Sequence, residues 1–256
     1  MLALWAVHIS DNVLTTGWCL GGLVLAGLLA AVGALRLRDE EIPRIALLAA
    51  AFFLASSFHV RVGPSSAHLL LNGLLGVVLG WRACLAIPIG LLLQYLLVGH
   101  GGYWVLGVNS CVMVLPALLA YYLFGLLHRL PWSRRPWFRS LLVAVCALAW
   151  TLSLVYSVTL LCTNSLNQAT LLDQTAAVAL TFHPLLLAGA ALLAGVAVYL
   201  ERRLENAPEF ALGLLVGELT VLATVALNLL ALLVGGETVW RTPALILVVV
   251  HLPIAV

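Results

Sequence analysis

Apolar runs of roughly helix-spanning length follow one another along this chain, separated by short breaks that hold most of its charge. A helix needs about 20 predominantly apolar residues to cross the hydrocarbon core of a bilayer. On that measure the pattern predicts spans at 13–35, 42–60, 66–80, 81–99, 103–128, 137–163, 174–200, 209–234 and 241–256. The third and fourth are short and are divided only by Gly80-Trp81-Arg82, which predicts a tight antiparallel pair. The last run stops without a polar cap, so the polypeptide is expected to continue or to be divided, its missing end cytoplasmic.

Composition removes the soluble alternative: 64% of the 256 residues are hydrophobic, 9% are charged and mean hydropathy is +1.14. The expected class is an all-α polytopic integral membrane protein built as one transmembrane domain over 1–256. Every basic side chain is arginine. With the amino terminus extracytoplasmic, Arg36, Arg38, Arg44, Arg82, Arg129, Arg134, Arg135, Arg139, Arg202 and Arg203 fall on the cytoplasmic side, and Arg61 and Arg241 remain outside. Ten against two satisfies the positive-inside rule. Trp18, Trp81, Trp104, Trp132, Trp137 and Trp240 sit at predicted span ends, as an aromatic belt requires. The net charge of +2 thus reports topology and gives no case for nucleic acid. No basic region precedes the first long apolar run, so polar His8-Ile9-Ser10-Asp11-Asn12 is expected to stay with the mature chain.

The remaining chemistry is mostly histidine. On this topology His8, His59, His68 and His100 share the extracytoplasmic side, whereas His128 is cytoplasmic and His183 and His251 lie in later spans. Neutral imidazole is a ready ligand for nickel, cobalt, copper and zinc, so four at one face suggest a metal site. Cys19, Cys84, Cys111, Cys146 and Cys162 fall within spans without CxxC spacing, which reads as buried small residues rather than disulfides or a zinc knuckle. Glu218 is the one carboxylate well inside a span; such groups usually face a cavity or partner. Gly22, Ala26, Ala30 and Ala34 form a stripe of small residues that suits either a partner helix or internal packing. HExxH, GxSxG and Walker A signatures are absent, so the chain is not expected to be an enzyme or to bind ATP.

Several ordered motifs resemble one known family. Gly63-Pro64-Ser65-Ser66-Ala67-His68-Leu69, Asn72-Gly73-Leu74-Leu75-Gly76 and Leu79-Gly80 are followed by Gln94-Tyr95-Leu96-Leu97-Val98-Gly99-His100-Gly101-Gly102 and Leu106-Gly107-Val108-Asn109. Together with His8-Ile9-Ser10-Asp11, they resemble the substrate-capture S component of cobalt and nickel energy-coupling-factor (ECF) transporters, the CbiM/NikM type. The resemblance implies capture of Co2+ or Ni2+ from outside, with no permanently bound cofactor. It also implies a transmembrane coupling (T) subunit, cytoplasmic ATPase subunits and a small accessory membrane subunit as partners.

The implied site is a planar set of nitrogens, which suits Ni(II) and, when imposed by the protein, Co(II). The imidazole and amide would come from His8 and a second imidazole from His68, delivered by a tight turn to a helix N-terminus. Asp11, Asn72, His100 and Asn109 would stand around them. In the family a terminal amine directly precedes the first histidine, but here Met1 to Val7 do so. Either the mature chain begins at Val7, as a GTG start codon there would give, or His59 or His100 supplies the missing nitrogen.

The match covers 1–130 and 208–256, about seven helices, and leaves 131–207 as an apparent two-helix insertion. Two other function classes compete. A proton-coupled secondary metal transporter would use inverted repeats, with His183-Pro184 and Glu218 in its path. An intramembrane metallohydrolase on His59, His68 and His100 would need Asp11 as its base.

Overall fold

The computed structural model describes residues 9–62, 65–162, 184–203 and 208–236; at 59–62, 65–68, 155–162, 184–187 and 208 it describes the backbone alone. The helices are α1 (Thr16–Ala34), α2 (Ile42–Ser57), α3 (Asn72–Leu79), α4 (Ala83–Val98), α5 (Leu106–Arg129), α6 (Pro136–Cys162), α7 (Pro184–Arg203) and α8 (Pro208–Gly235). Strands β1 (His59–Val62) and β2 (Ser65–His68) form a small antiparallel ribbon between α2 and α3. The expected all-α polytopic architecture is thus present, with this ribbon as its one sheet among the described residues. The expected final span at 241–256 lies outside the described residues.

Five described segments are long and apolar enough to cross a membrane: Thr16–Ala34, Asn72–Val98, Leu106–Arg129, Pro136–Leu154 and Glu209–Gly235. The second of these is not one rod. At Gly80 the backbone turns through φ +56°, ψ −130°, a conformation that favours glycine, and a single 3-10 turn over Gly80–Arg82 reverses the chain. Two sets of contacts fix the directions. Asn72 and Trp81 bond to Met113 and Tyr122, so α3 runs alongside α5 in the same sense. Cys84 lies against Gly33 near the end of α1, while Gln94 bonds to Ser56 near the end of α2, so α4 runs back. The antiparallel pair therefore forms as its break predicts.

The third span itself is overturned. Residues 65–68 are strand and α3 starts only at Asn72, so the helical part of the expected 66–80 span is eight residues. At 1.5 Å per residue that is about 12 Å, under half the hydrocarbon thickness. His68 accordingly ends a strand rather than opening a helix. His59-Val60-Arg61-Val62 alternates polar and apolar, the period of a strand, and its ladder pairs His59 with His68 and Val62 with Ser65.

Three apolar clusters hold the bundle. Phe52, Leu75, Ile87, Met113 and Val221, all nearly inaccessible, join α2, α3, α4, α5 and α8 at the centre. Ile9, Val13, Cys19, Val105, Val108 and Leu232 join the amino-terminal segment to α1, α5 and α8. Leu142, Val143, Cys146, Ala211 and Leu212 join α6 to α8, with Ala197 and Val198 of α7 against them. Leucines such as Leu20, Leu28, Leu92, Leu141 and Leu192 stay exposed, as a lipid-facing surface requires.

Most of the described arginines gather at one end. Arg82 reaches from the α3–α4 turn to the end of α1, where Nη1 donates to the carbonyls of Gly33 and Leu35 and Nη2 to that of Arg36. These carbonyls have no partner within the helix, and the cation also complements the negative end of the helix dipole. Glu41 closes the cluster at 2.9 Å from Arg82, and Arg44 donates to the Val78 carbonyl. Trp81, Trp132 and Trp137 are exposed at this end, and Trp18 and Trp104 at the other, so the two aromatic belts are present.

On α1 the small stripe packs inward at Gly22, and Gly33, beside its last member, does the same. Gly22 lies against Val108 and accepts a bond from the Cys111 thiol, and Gly33 lies against Cys84. At Gly22 the stripe is thus used for internal packing, while Ala34 stays exposed. Cys19, Cys84, Cys111 and Cys146 are buried free thiols, as their positions in spans predict.

Candidate metal centre

The amino-terminal segment is held in the bundle by two side chains that act at long sequence range. Asn109, in the first turn of α5, accepts from the Ile9 backbone N–H through Oδ1 at 2.9 Å and donates from Nδ2 to the Ile9 carbonyl at 2.9 Å. The amide thus completes both backbone bonds of one extended residue, much as a neighbouring strand would. Ile9 and Asn109 are both buried, 4% exposed in each case. Two residues on, the Asp11 carboxylate accepts from the N–H groups of Tyr103 and Trp104 at 3.0 Å and of Val105 at 3.3 Å. These donors precede or open α5, where unsatisfied N–H groups and the positive end of the dipole favour an anion. A Cβ at Gly102 would collide with that carboxylate, so the glycine gives Asp11 its room.

This arrangement brings Ile9 against the start of α5. His8 lies outside the described residues, one peptide bond from the clamped Ile9. His100 is nearby, its backbone N–H bonded to the Gln94 carbonyl, and it lines a small cavity with Gln94, Tyr95, Leu106 and Asn109. His59 and His68 are Cα partners at the helix-facing end of the ribbon. Among the described residues no three His, Cys, Asp or Glu side chains form a metal-holding group; His8 and the side chains of His59 and His68 are not among them.

Asn72 takes a different place. It is fully buried and donates to the Met113 carbonyl and to Thr224 Oγ1, tying α3 to α5 and α8. Gln94 and Ser56 are buried polar residues of the same region that sequence reading did not single out as site residues. Gln94 donates to Ser56 Oγ at 2.7 Å, Ser56 donates to the Phe52 carbonyl, and the Gln94 Oε1 has no hydrogen-bond partner among the described residues. A lone amide inside the apolar run 83–98 was the available signal, because an unpaired amide in hydrocarbon costs several kcal/mol and is kept for a partner. Glu218 lies elsewhere, on α8 beside Cys146 of α6.

Known proteins resemble this chain in part. It is 52% identical over 118 residues to a putative metal transport protein of Haemophilus influenzae, covering 46% of this chain and 57% of that protein. It is 35% identical over 116 residues to a probable fused nickel transport protein, LarMN, of Lactiplantibacillus plantarum, covering 42% and 35%. Identity to the cobalt transport protein CbiM of Sorangium cellulosum is 33% over 133 residues, covering 48% and 59%. The chain therefore spans between 35% and 59% of the length of these relatives. A solved structure of a truncated transition metal transporter aligns over 97% of this chain and 92% of its own at 19% identity, with a TM-score of 0.47. Residues 8–206 match the family model for the cobalt uptake substrate-specific transmembrane region, CbiM, and this chain belongs to that family.

Proposed function

We propose that this chain is the substrate-binding membrane subunit of an ECF-type transporter and captures Co2+ or Ni2+ on the extracytoplasmic side. The metal is cargo, and no resident cofactor is needed. The observation that carries the reading is the clamp on Ile9. The segment before α1 is fixed by Asn109 and Asp11, at both backbone groups of Ile9 and at a helix start. Such fixing is what a backbone amide and an imidazole need if they are to meet other nitrogens in a set geometry.

His8 supplies the amide and imidazole, and His68 a second imidazole. Positions paired across an antiparallel ladder share a face of the ribbon, so the pairing of His59 with His68 supports His59 as a further ligand when no terminal amine is available. His100 stands close by as a donor behind the ligands, with Asn109 and Asp11 setting the segment and Asn72 setting the start of α3. Imidazole and amide nitrogens suit Ni(II) and Co(II) alike.

Uptake is powered by ATPase subunits acting through a T subunit at the arginine end, with a small accessory membrane subunit completing the complex. The gathered arginines support a cytoplasmic position for that end and an extracytoplasmic amino terminus. The helices α6 and α7 are an accessory hairpin on the capture bundle. Engagement of Asp11 with three N–H groups tells against the hydrolase reading, which would need that carboxylate as a free base.

Binding of Ni2+ and Co2+ to the purified chain, followed by calorimetry, tests the proposal. Wild type should bind, His68→Ala should lose binding, and a chain beginning at Val7 should bind more tightly if the amine is a ligand. Binding by none of the three would overturn the capture reading. Uptake in cells should stop when the ATPase subunits are removed, and uptake that persists and follows the proton gradient would favour a secondary transporter.

A further inference from the structure

The junction between α5 and α6 concentrates positive charge. Arg129, Arg134 and Arg135 are exposed, and none forms an ion pair among the described residues. Of the described carboxylates in this region, Glu201 lies 2.6 Å from Arg139 and Glu209 3.9 Å from His128. A 3-10 turn over Pro131–Arg134, with Ser133 buried and bonded to the Leu130 carbonyl, holds these cations beside two indoles. Trp132 meets the Phe138 ring edge-on at 4.4 Å and Trp137 meets it at 5.8 Å. Both indoles remain exposed, Trp132 at 39% and Trp137 at 61%.

Along α6 the same line continues in aliphatic groups. Trp137, Leu141, Val145 and Leu148 recur at helical spacing, and all are exposed. From the end of the bundle toward its middle the corner therefore presents guanidinium, indole and hydrocarbon in turn. An anionic phospholipid has the complementary order: phosphate, ester level and acyl chain. Guanidinium pairs bidentately with phosphate oxygens, and indoles settle at the ester level. A zwitterionic lipid would set its own ammonium group against these unpaired cations.

We propose that this corner is a binding site for an anionic phospholipid, with Arg134 and Arg135 on the headgroup, Trp132 and Trp137 at the ester level and the Leu141–Val145 line along an acyl chain. The site does not depend on the transport reading. Each arginine near an anionic surface contributes about 1 kcal/mol, so removing two lowers affinity about thirtyfold.

The test uses the full chain in detergent, titrated with phosphatidylglycerol or phosphatidylcholine and read by native mass spectrometry. Wild type should retain phosphatidylglycerol in preference. The double variant Arg134→Gln, Arg135→Gln should bind it about thirtyfold more weakly, with phosphatidylcholine binding and thermal stability unchanged. Arg36→Gln, Arg38→Gln, at the same end but on the α1–α2 connection, should leave the preference intact. An equal loss in both double variants would show a diffuse field over the whole arginine end and overturn the site. So would an unchanged preference in the first variant, an equal fall for both lipids, or displacement of phosphatidylglycerol by millimolar inorganic phosphate. If the double variant misfolds, Arg134→Lys, Arg135→Lys retains charge but loses bidentate pairing, and it should weaken phosphatidylglycerol binding by a smaller factor.

Discussion

The two anchored parts of the molecule are fastened by opposite chemistry. At the amino-terminal end, beside the Asp11 carboxylate on the N–H groups before α5, neutral amides make the other joins: Asn109 to Ile9, Asn72 to Met113 and Thr224, and Gln94 to Ser56. In the α6–α7 hairpin the join is an ion pair, Arg139 to Glu201, with Glu201 only 1% exposed and Ser140 donating to its second oxygen. Neutral amides hold backbone in place at modest desolvation cost. A buried ion pair costs far more to desolvate and holds two helices only while both partners remain. The difference teaches that the amino-terminal end of the bundle is built for position, and the hairpin for attachment.

The strongest way to break the comparison is at Glu201. Glu201→Ala leaves Arg139 buried without its counter-charge, a loss of about 3–5 kcal/mol. Hydrogen exchange should show α6 and α7 opening together while metal binding by the rest of the chain persists. Loss of metal binding in that variant would show that the two regions are one unit.

Asn109→Ala is the matching change at the other end. It strands the N–H and C=O of Ile9, at a cost of about 2 kcal/mol, and frees the amino-terminal segment. Proteolysis should then cut before Asn12, and Ni2+ affinity should fall about tenfold or more because the competent segment is populated less often. Unchanged affinity would remove the clamp from any role in capture.

The smallest effect lies in acid. The Arg82 guanidinium, aided by the Arg38 backbone N–H, holds the Glu41 carboxyl below the usual carboxylate range. A lowered value means that the group favours the folded state above its ordinary titration, near pH 4.3, and that this contribution fades as pH falls through the folded value. Thermal unfolding between pH 6 and 3 should show a drop that is shallower in Arg82→Gln, since that variant has no such contribution to lose.

Much of the bundle was legible because hydropathy alone marks a span and needs no knowledge of partners. The break at Gly80-Trp81-Arg82 was equally plain, since a glycine followed by a charge interrupts an apolar helix far more readily than it continues one. The ribbon was hidden by its setting. His59-Val60-Arg61-Val62 alternates as a strand should, and Gly63-Pro64 follows as a turn signal, but apolar flanks absorbed both into neighbouring spans. The site was legible as residue types and not as connections. Asp11 was visible as a polar residue before α1, yet its partners lie 92 to 94 positions away, and Ile9 lies 100 from Asn109. Nothing local records such pairings; they exist only once α1, α5 and α8 have packed.

The ribbon that pairs His59 with His68 also sets how the spacing between those residues can change. Only Gly63 and Pro64 separate the paired Val62 and Ser65. A ladder repeats every two residues and permits no fractional shift. Deleting one residue between the strands would bring His59 opposite Leu69 or force the two histidines onto different faces. Whatever the pair holds, its geometry can be altered only in whole steps, so this short loop behaves as a gauge whose length is counted rather than tuned.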